Sequence, residues 1–200
     1  GTTGPPKGVI VNDRMLIVSA FATGIASSVN NHDRFLLWES LHHIGGIEIL
    51  ILCLLKNCKL ILLKKFSAKK FWTQIIKNKI TIIHYLGGIL DILLKQPKSV
   101  NDKKHNVKLA FGAGARNETY KLFKNRFNIP LREVYGMTEA SSFTSINFKT
   151  KIGSIGKILP WFKVKLLNKK NGVGEIALKA KNPNLITKGY FKDKKATKLL

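Results

Sequence analysis

The sequence predicts an α/β fold with a largely parallel sheet, followed by a small β-rich region. Short β-branched runs alternate with amphipathic stretches as far as Tyr135, and glycine-containing turns follow several of the runs. Strands separated by helices at this spacing pair in parallel through right-handed crossovers. From Ile152 onward the texture changes to short alternating runs punctuated by glycine. With 200 residues, 44% of them hydrophobic and 23% charged, the chain has room for one large domain or two sub-domains sharing a sheet. It needs no disulfide scaffold.

Each element has a local reason. Val9 to Val11 reads as a short strand leaving a glycine loop, and Asn12 and Asp13 can cap a helix through Met15, Leu16, Ile17 and Phe21 to about Val29. Phe35 to Trp38 is extended, and Ile44 to Leu55 reads as a buried helix. Leu60 to Leu63 is a strand, and Ser67 caps a helix through Phe71, Trp72, Ile75 and Ile76. Ile80 to Tyr85 is again a strand, Gly88 to Lys95 a helix and Val107 to Phe111 a strand. Asn117 then caps a helix over Tyr120 to Phe127, and Leu131 to Tyr135 is the next strand. In the last region Phe162 to Leu167 and Glu175 to Leu178 alternate around a hairpin turn within Asn168 to Gly174.

Composition excludes several classes. The longest apolar run, Ile49 to Leu55, is 7 residues long, against roughly 20 needed to span a bilayer. The net charge of +24, from 35 Lys+Arg against 11 Asp+Glu, is a footprint that nucleic-acid binders also leave. Lysine dominates, however, with five arginines, and the lysines are spread along the whole chain. Base and phosphate recognition favours the arginine fork. Lys, Ile and Asn all have A/T-rich codons, so a biased genome accounts for the excess more simply than a polyanionic partner. Cys53 and Cys58 match neither a CxxC pair nor a zinc spacing and read as free thiols in a reducing, cytoplasmic compartment.

Three segments carry candidate chemistry. Gly1-Thr2-Thr3-Gly4-Pro5-Pro6-Lys7-Gly8 offers close backbone N–H approach, two hydroxyls and one ammonium, which suits a phosphate chain. It is not a Walker loop, and an ordinary Gly/Pro turn has the same composition. Tyr135-Gly136-Met137-Thr138-Glu139 ends a strand, where ligands of open α/β sheets sit. There a tyrosine can stack on a base, a threonine can donate to a phosphate and a carboxylate can hold Mg²⁺. A strand end followed by a capped helix is the plain alternative. Phe111-Gly112-Ala113-Gly114-Ala115 also ends a strand, with small residues that would let the backbone approach a flat ring.

In this order and spacing the three segments resemble the adenylate-forming superfamily of acyl-CoA synthetases, luciferases and peptide-synthetase adenylation domains. Gly1 to Gly8 is similar to that family's Thr-Ser-Gly-Thr-Thr-Gly-x-Pro-Lys-Gly loop, and Tyr135 to Glu139 to its Tyr-Gly-x-Thr-Glu motif. Leu41-His42-His43-Ile44-Gly45-Gly46 resembles the Pro-Leu-Phe-His-x-x-Gly segment, with His42 replacing the aromatic residue. Gly174-Glu175-Ile176, Gly189-Tyr190-Phe191 and Lys195-Ala196-Thr197 resemble later segments, with Lys195 in place of a glutamate. Gly112 to Arg116 with Phe127 to Pro130 looks like the carnitine/crotonobetaine-CoA ligase and fatty-acid-transport branch.

The resemblance implies the layered αβαβ sheet of that family's large N-terminal domain, in part. Residues 1–145 would form the ATP- and acyl-binding region and residues 146–200 a β-rich sub-domain, without the mobile C-terminal domain. It implies that Thr2, Thr3 and Lys7, with Gly1, Gly4 and Gly8, hold the β,γ-phosphates. Gly112, Ala113 and Gly114 would line the adenine, with Tyr135 stacking on it beside Gly136. Thr138 would contact the α-phosphate and Glu139 the Mg²⁺. His43 would sit near the acyl carboxylate, with a helix-capping or core histidine as the alternative. Trp38 and Trp161 are candidates for the aromatic face that a betaine acid would need, and large aromatics are also ordinary core residues. His32, His84 and His105 match no motif and read as structural or exposed.

The implied reaction joins a carboxylate and ATP into an acyl-adenylate and pyrophosphate, then transfers the acyl group to coenzyme A. Catalysis is positioning and charge stabilisation, with no side-chain nucleophile. Opening on Gly1 and stopping before the family's ribose-binding Asp, hinge and late lysine, the sequence reads as a fragment that would not turn over alone. The other readings are an amino-acid adenylation domain that loads a carrier protein and a non-catalytic basic binder of nucleic acid or a membrane surface.

Overall fold

The computed structural model of the chain describes residues 6–200. Five strands pair in parallel: β1 (Arg34–Leu37), β2 (Lys59–Leu62), β3 (Ile82–Leu86), β4 (Leu109–Ala113) and β5 (Leu131–Met137). Two more, β6 (Ser142–Ile146) and β7 (Lys157–Ile158), join antiparallel and complete a seven-stranded sheet in the order β2-β1-β3-β4-β5-β6-β7. A separate antiparallel pair, β8 (Phe162–Lys170) and β9 (Val173–Ala180), turns at Asn171 and Gly172, both with positive φ. That is the two-residue hairpin that Asn-Gly favours. The mixed α/β sheet and the small second sheet are the fold the sequence implied.

Alternation along the strands sorts side chains into two layers. Phe35, Leu37, Ile82, Phe111 and Val134 pack against α1 (Asp13–Ser27) and α2 (Ile44–Lys56). Leu36, Ile83, Tyr85, Ala110 and Leu131 pack on the opposite face against α3 (Ala68–Lys77), α4 (Gly87–Leu94) and α5 (Asn117–Phe127). Among the described residues no helix is long and apolar enough to cross a membrane.

Several local expectations need correction. Val9 to Val11 is not a strand; only Val9 forms a bridge, to Tyr190. Asn12 caps α1 immediately afterwards through Met15 N–H (2.9 Å), which leaves no length for a ladder. Ser67 holds the cap position of α3 without a side-chain hydrogen bond. The cap of α5 is Arg116, so Asn117 is the first residue of that helix. The segment after Glu139 is β6 rather than a helix. Ser141 and Ser142 take positive φ (53° and 67°) and fold it back along β5. The boundary drawn after residue 145 falls inside β6, and β7 also belongs to the large sheet.

Candidate active site

The motif residues gather at the carboxyl ends of β4 and β5 and over the turn that joins β5 to β6. Thr138, Glu139 and Ala140 form a single 3₁₀ turn there. Gly136 is required by a close approach, because a Cβ would lie 1.7 Å from the Ser142 carbonyl oxygen of β6. The Glu139 carboxylate accepts from the Tyr190 hydroxyl at 2.6 Å, and its backbone carbonyl accepts from Thr187 N–H at 2.8 Å. The hydrogen bond to Glu139 pushes the Tyr190 phenol up to about 12, with burial a smaller cause.

Tyr190 also ties in the glycine loop. Ile10 N–H donates to the Gly189 carbonyl (3.0 Å), Phe191 N–H to the Gly8 carbonyl (2.7 Å) and the Thr187 hydroxyl to the Ile10 carbonyl (2.6 Å). The Lys7 ammonium consequently lies 5.1 Å from the centre of the Tyr190 ring, within cation–π reach. Lys7 and Gly8 are exposed. Gly1, Thr2, Thr3 and Gly4 lie outside the described residues. Residues near 8, 139 and 190, far apart in the chain, thus form one cluster with an ammonium over the ring of a phenol and a carboxylate at its hydroxyl.

The β4 end is built differently from the sequence expectation. Gly112 is required by a close approach to the neighbouring strand: a Cβ there would fall 1.9 Å from the Tyr85 carbonyl oxygen of β3. Gly114, at φ +82°, is the open position, with nothing closer than 3.8 Å to an added Cβ. Its N–H donates to Glu133 Oε1 at 2.5 Å, while the Tyr85 hydroxyl donates to Glu133 Oε2 at 2.7 Å. Burial raises the Glu133 carboxyl above its ordinary range, and these donors offset only part of that rise. Glu133 stands two residues before Tyr135 in β5, so the two share a face at the edge of the glycine turn. Arg116 and Thr119 anchor the far side of the turn on Asp91 (3.0 and 2.6 Å).

His43 caps α2. Its Nδ1 accepts from Gly45 N–H at 3.1 Å, and the residue is exposed. With Nδ1 accepting, the neutral ring carries its proton on Nε2, which leaves a donor pointing away from the capping bond. The capping alternative is therefore observed, and it leaves one ring nitrogen for a ligand. Trp38 packs edge-on to Phe66 (5.6 Å) and donates its indole N–H to the His84 carbonyl (2.9 Å). That is a partly buried position packed against the core, and among the described residues one aromatic ring, Phe66, lies against it. His32 is exposed, His105 lies 5.5 Å from the Trp72 ring, and His84 is buried.

The arrangement of a glycine turn, a strand-end carboxylate and a loop lysine agrees with a match to a family model. Residues 1–191 match the model described as AMP-binding enzyme. The chain belongs to the AMP-binding enzyme family. Relatives of this AMP-binding chain include long-chain fatty acid transport protein 6 of Homo sapiens, 33% identical over 82% of the chain and 26% of the relative. Long-chain fatty acid transport protein 1 of Homo sapiens is 36% identical over 80% of the chain and 25% of the relative. The chain thus spans about a quarter of the length of these relatives. Among solved structures, the O-succinylbenzoate coenzyme A synthetase of Bacillus subtilis in complex with ATP and magnesium ion matches with TM-score 0.78. It is 24% identical, and the match covers 100% of this chain and 43% of that one. The N-terminal domain of FACL13 from Mycobacterium tuberculosis matches with TM-score 0.82 and 22% identity, over 98% of this chain and 52% of that one. Both share the fold.

Sequence reasoning missed Glu133, the placement of Tyr190 against Glu139, and Thr187. For Glu133 a signal existed: a carboxylate two residues before the motif tyrosine in a strand. Tyr190 and Thr187 meet the site only through contacts more than 45 residues away in sequence.

Proposed function

We propose that this chain carries the nucleotide- and acid-binding part of an ATP-dependent acid–coenzyme A ligase. In the first step a carboxylate oxygen attacks the α-phosphorus of ATP, the bond to the β-phosphate breaks, and acyl-adenylate and pyrophosphate result. In the second the thiol of coenzyme A displaces AMP. The observation that carries this reading is the meeting of Lys7, Tyr190 and Glu139 just after β5, the strand that pairs with β4 and its Gly112–Gly114 end.

The residues fit the groups the reaction needs. Lys7 is an exposed ammonium held over Tyr190, suited to the charge that develops on departing pyrophosphate. Gly114 offers open backbone and Tyr135 a half-buried ring for the adenine. Tyr190 occupies one oxygen of Glu139 and leaves the other for Mg²⁺, which binds through one or two carboxylates plus phosphate oxygens. When bound, Mg²⁺ would neutralise phosphate charge. Thr138, beside Glu139, is placed to donate to the α-phosphate. His43 Nε2–H would hold the acid. An ATP- and magnesium-bound synthetase of the same fold supports the nucleotide assignment.

Calorimetric titration tests this with ATP and with AMP, each in the presence of Mg²⁺. Lys7→Ala should weaken ATP binding roughly tenfold, the worth of one charge-assisted contact, and leave AMP binding nearly unchanged. Equal affinities of variant and parent for ATP would refute the assignment of Lys7 to the terminal phosphates.

A further inference from the structure

Residues 187–197 join the glycine loop to the 3₁₀ turn that carries Glu139, and their backbone is pinned on both sides. Thr187 N–H donates to the Glu139 carbonyl (2.8 Å), and the Thr187 hydroxyl donates to the Ile10 carbonyl (2.6 Å). Gly189 takes φ +138°, and an added Cβ there would collide with the Thr197 methyl group. The position before Tyr190 therefore favours glycine alone. The Thr197 hydroxyl accepts from Tyr190 N–H (2.9 Å) and donates to the Asp193 carbonyl (2.7 Å). Asp193 N–H returns to the Tyr190 carbonyl (3.3 Å), and Tyr190 bridges antiparallel to Val9. The Tyr190 backbone is thereby fixed between the glycine loop and the short helix α6 (Lys194–Thr197).

From that position one side chain reaches both charged groups of the proposed site. Its hydroxyl donates to Glu139 Oε1 at 2.6 Å, within the short range of a bond to an ionised carboxylate. Among the described residues no other group donates to that carboxylate, and no basic residue pairs with it. Tyr190 alone therefore restricts the Glu139 side chain and leaves Oε2 as its open ligand atom. The ring meanwhile lies 5.1 Å from the Lys7 ammonium. An ammonium over an aromatic face keeps donors free on its outer side for phosphate oxygens. The phenol also draws some charge from the carboxylate, which weakens a metal bond. Orientation outweighs that loss, since removing such a partner of a metal-binding carboxylate typically weakens the metal roughly 10- to 100-fold.

Resting on the function proposed above, we propose that Tyr190 is a positioning residue with two separable parts. Its hydroxyl sets the Glu139 carboxylate for Mg²⁺, and its ring sets Lys7 for the terminal phosphates of ATP. Both act through another side chain. The adenine and the α-phosphate fall to other residues, so AMP should not sense Tyr190. A tyrosine kept only to hold residues 187–197 in place would weaken AMP and ATP alike when altered.

Titration calorimetry on the chain separates the two parts, using AMP, ATP in EDTA, and ATP with Mg²⁺. Tyr190→Phe keeps the ring and loses the hydroxyl. The gain in ATP affinity on adding Mg²⁺ should fall about tenfold, while AMP and metal-free ATP stay within about twofold of the parent. Tyr190→Leu loses the ring as well, so metal-free ATP should also weaken, by about threefold. Adding Lys7→Ala to that variant should then weaken ATP by less than it does in the parent. Because the leucine variant could fail to fold, Tyr190→Met, with a more adaptable side chain, is its replacement. An unchanged Mg²⁺ gain in Tyr190→Phe overturns the inference alone. So does an AMP affinity that falls together with that for ATP, or full additivity between loss of the ring and Lys7→Ala. No binding of AMP or ATP by the parent chain overturns the proposed function, and the inference with it.

Discussion

Glu48→Gln should make the chain more stable in alkaline solution, although it alters a fully buried residue of α2. In the folded chain the Glu48 carboxyl is pushed from an ordinary 4.5 up to about 7, chiefly by burial. The folded state therefore holds this proton more tightly than the unfolded state. The stability that this confers is complete below pH 4.5 and is lost as pH rises through 7. A difference of that size is worth about 3 kcal/mol. Glutamine carries no charge to desolvate, so the gap between variant and parent should grow by about 3 kcal/mol from pH 4.5 to pH 8.5. Any fixed cost of the amide cancels in that comparison. His84, also raised, contributes stability present below its ordinary 6.5 and lost above its raised value, and that slope should persist in the variant in reduced form, because Glu39 remains while the smaller contribution of Glu48 is gone. Urea unfolding followed by the fluorescence of Trp38, Trp72 and Trp161 reads the effect. With a slope of about 2 kcal/mol per molar urea, the variant's midpoint should gain roughly 1.5 M relative to the parent across that pH range. A gap that stays constant with pH would refute the reasoning, because Glu48 would then carry no raised carboxyl.

Two other sites separate backbone requirement from local propensity. Gly136→Ala should destabilise the chain by about 3 kcal/mol, since its Cβ would meet the Ser142 carbonyl at 1.7 Å. Gly88→Ala in α4, where an added Cβ meets nothing within 4 Å, should stabilise it by about 0.8 kcal/mol. Chemical denaturation of both variants checks the pair, and similar values would remove the claimed role of the Gly136 approach. Glu133→Gln should cost about 2 kcal/mol, because its two oxygens accept from different donors, Gly114 N–H and the Tyr85 hydroxyl. An amide retains one acceptor. A calorimetric titration should also show weaker AMP binding, since the Gly114 turn loses its anchor; unchanged stability would show that the two hydrogen bonds are not formed together.

Elements whose signals are local were legible. Asn12 caps α1 as its side chain suggested, and Asn171-Gly172 turns the β8–β9 hairpin. The strand β6 was not legible because all five of its residues are buried, including three hydroxyl side chains. A strand covered on both faces shows no alternation to read. The packing role of the glycines was not legible for a related reason. Gly112 and Gly136 mark close backbone contacts with neighbouring strands, and among the glycines of the β4 turn only Gly114 leaves open space. A gap in side-chain volume reads the same in sequence whether a ligand or a carbonyl fills it.

The sequence by itself determined the family, the parallel strand–helix pattern and the motif residues proposed for the nucleotide site, because each is written in contiguous stretches. Folding decided which motifs meet. Glu139 and Tyr190 are 51 residues apart, Ile10 and Thr187 are 177 apart, and Glu39 and His84 are 45 apart. Histidine 84 matched no motif, and Glu39 and Glu48 drew no attention as isolated acids. Their importance comes from being desolvated together, and desolvation belongs to the packed interior rather than to any local run of residues.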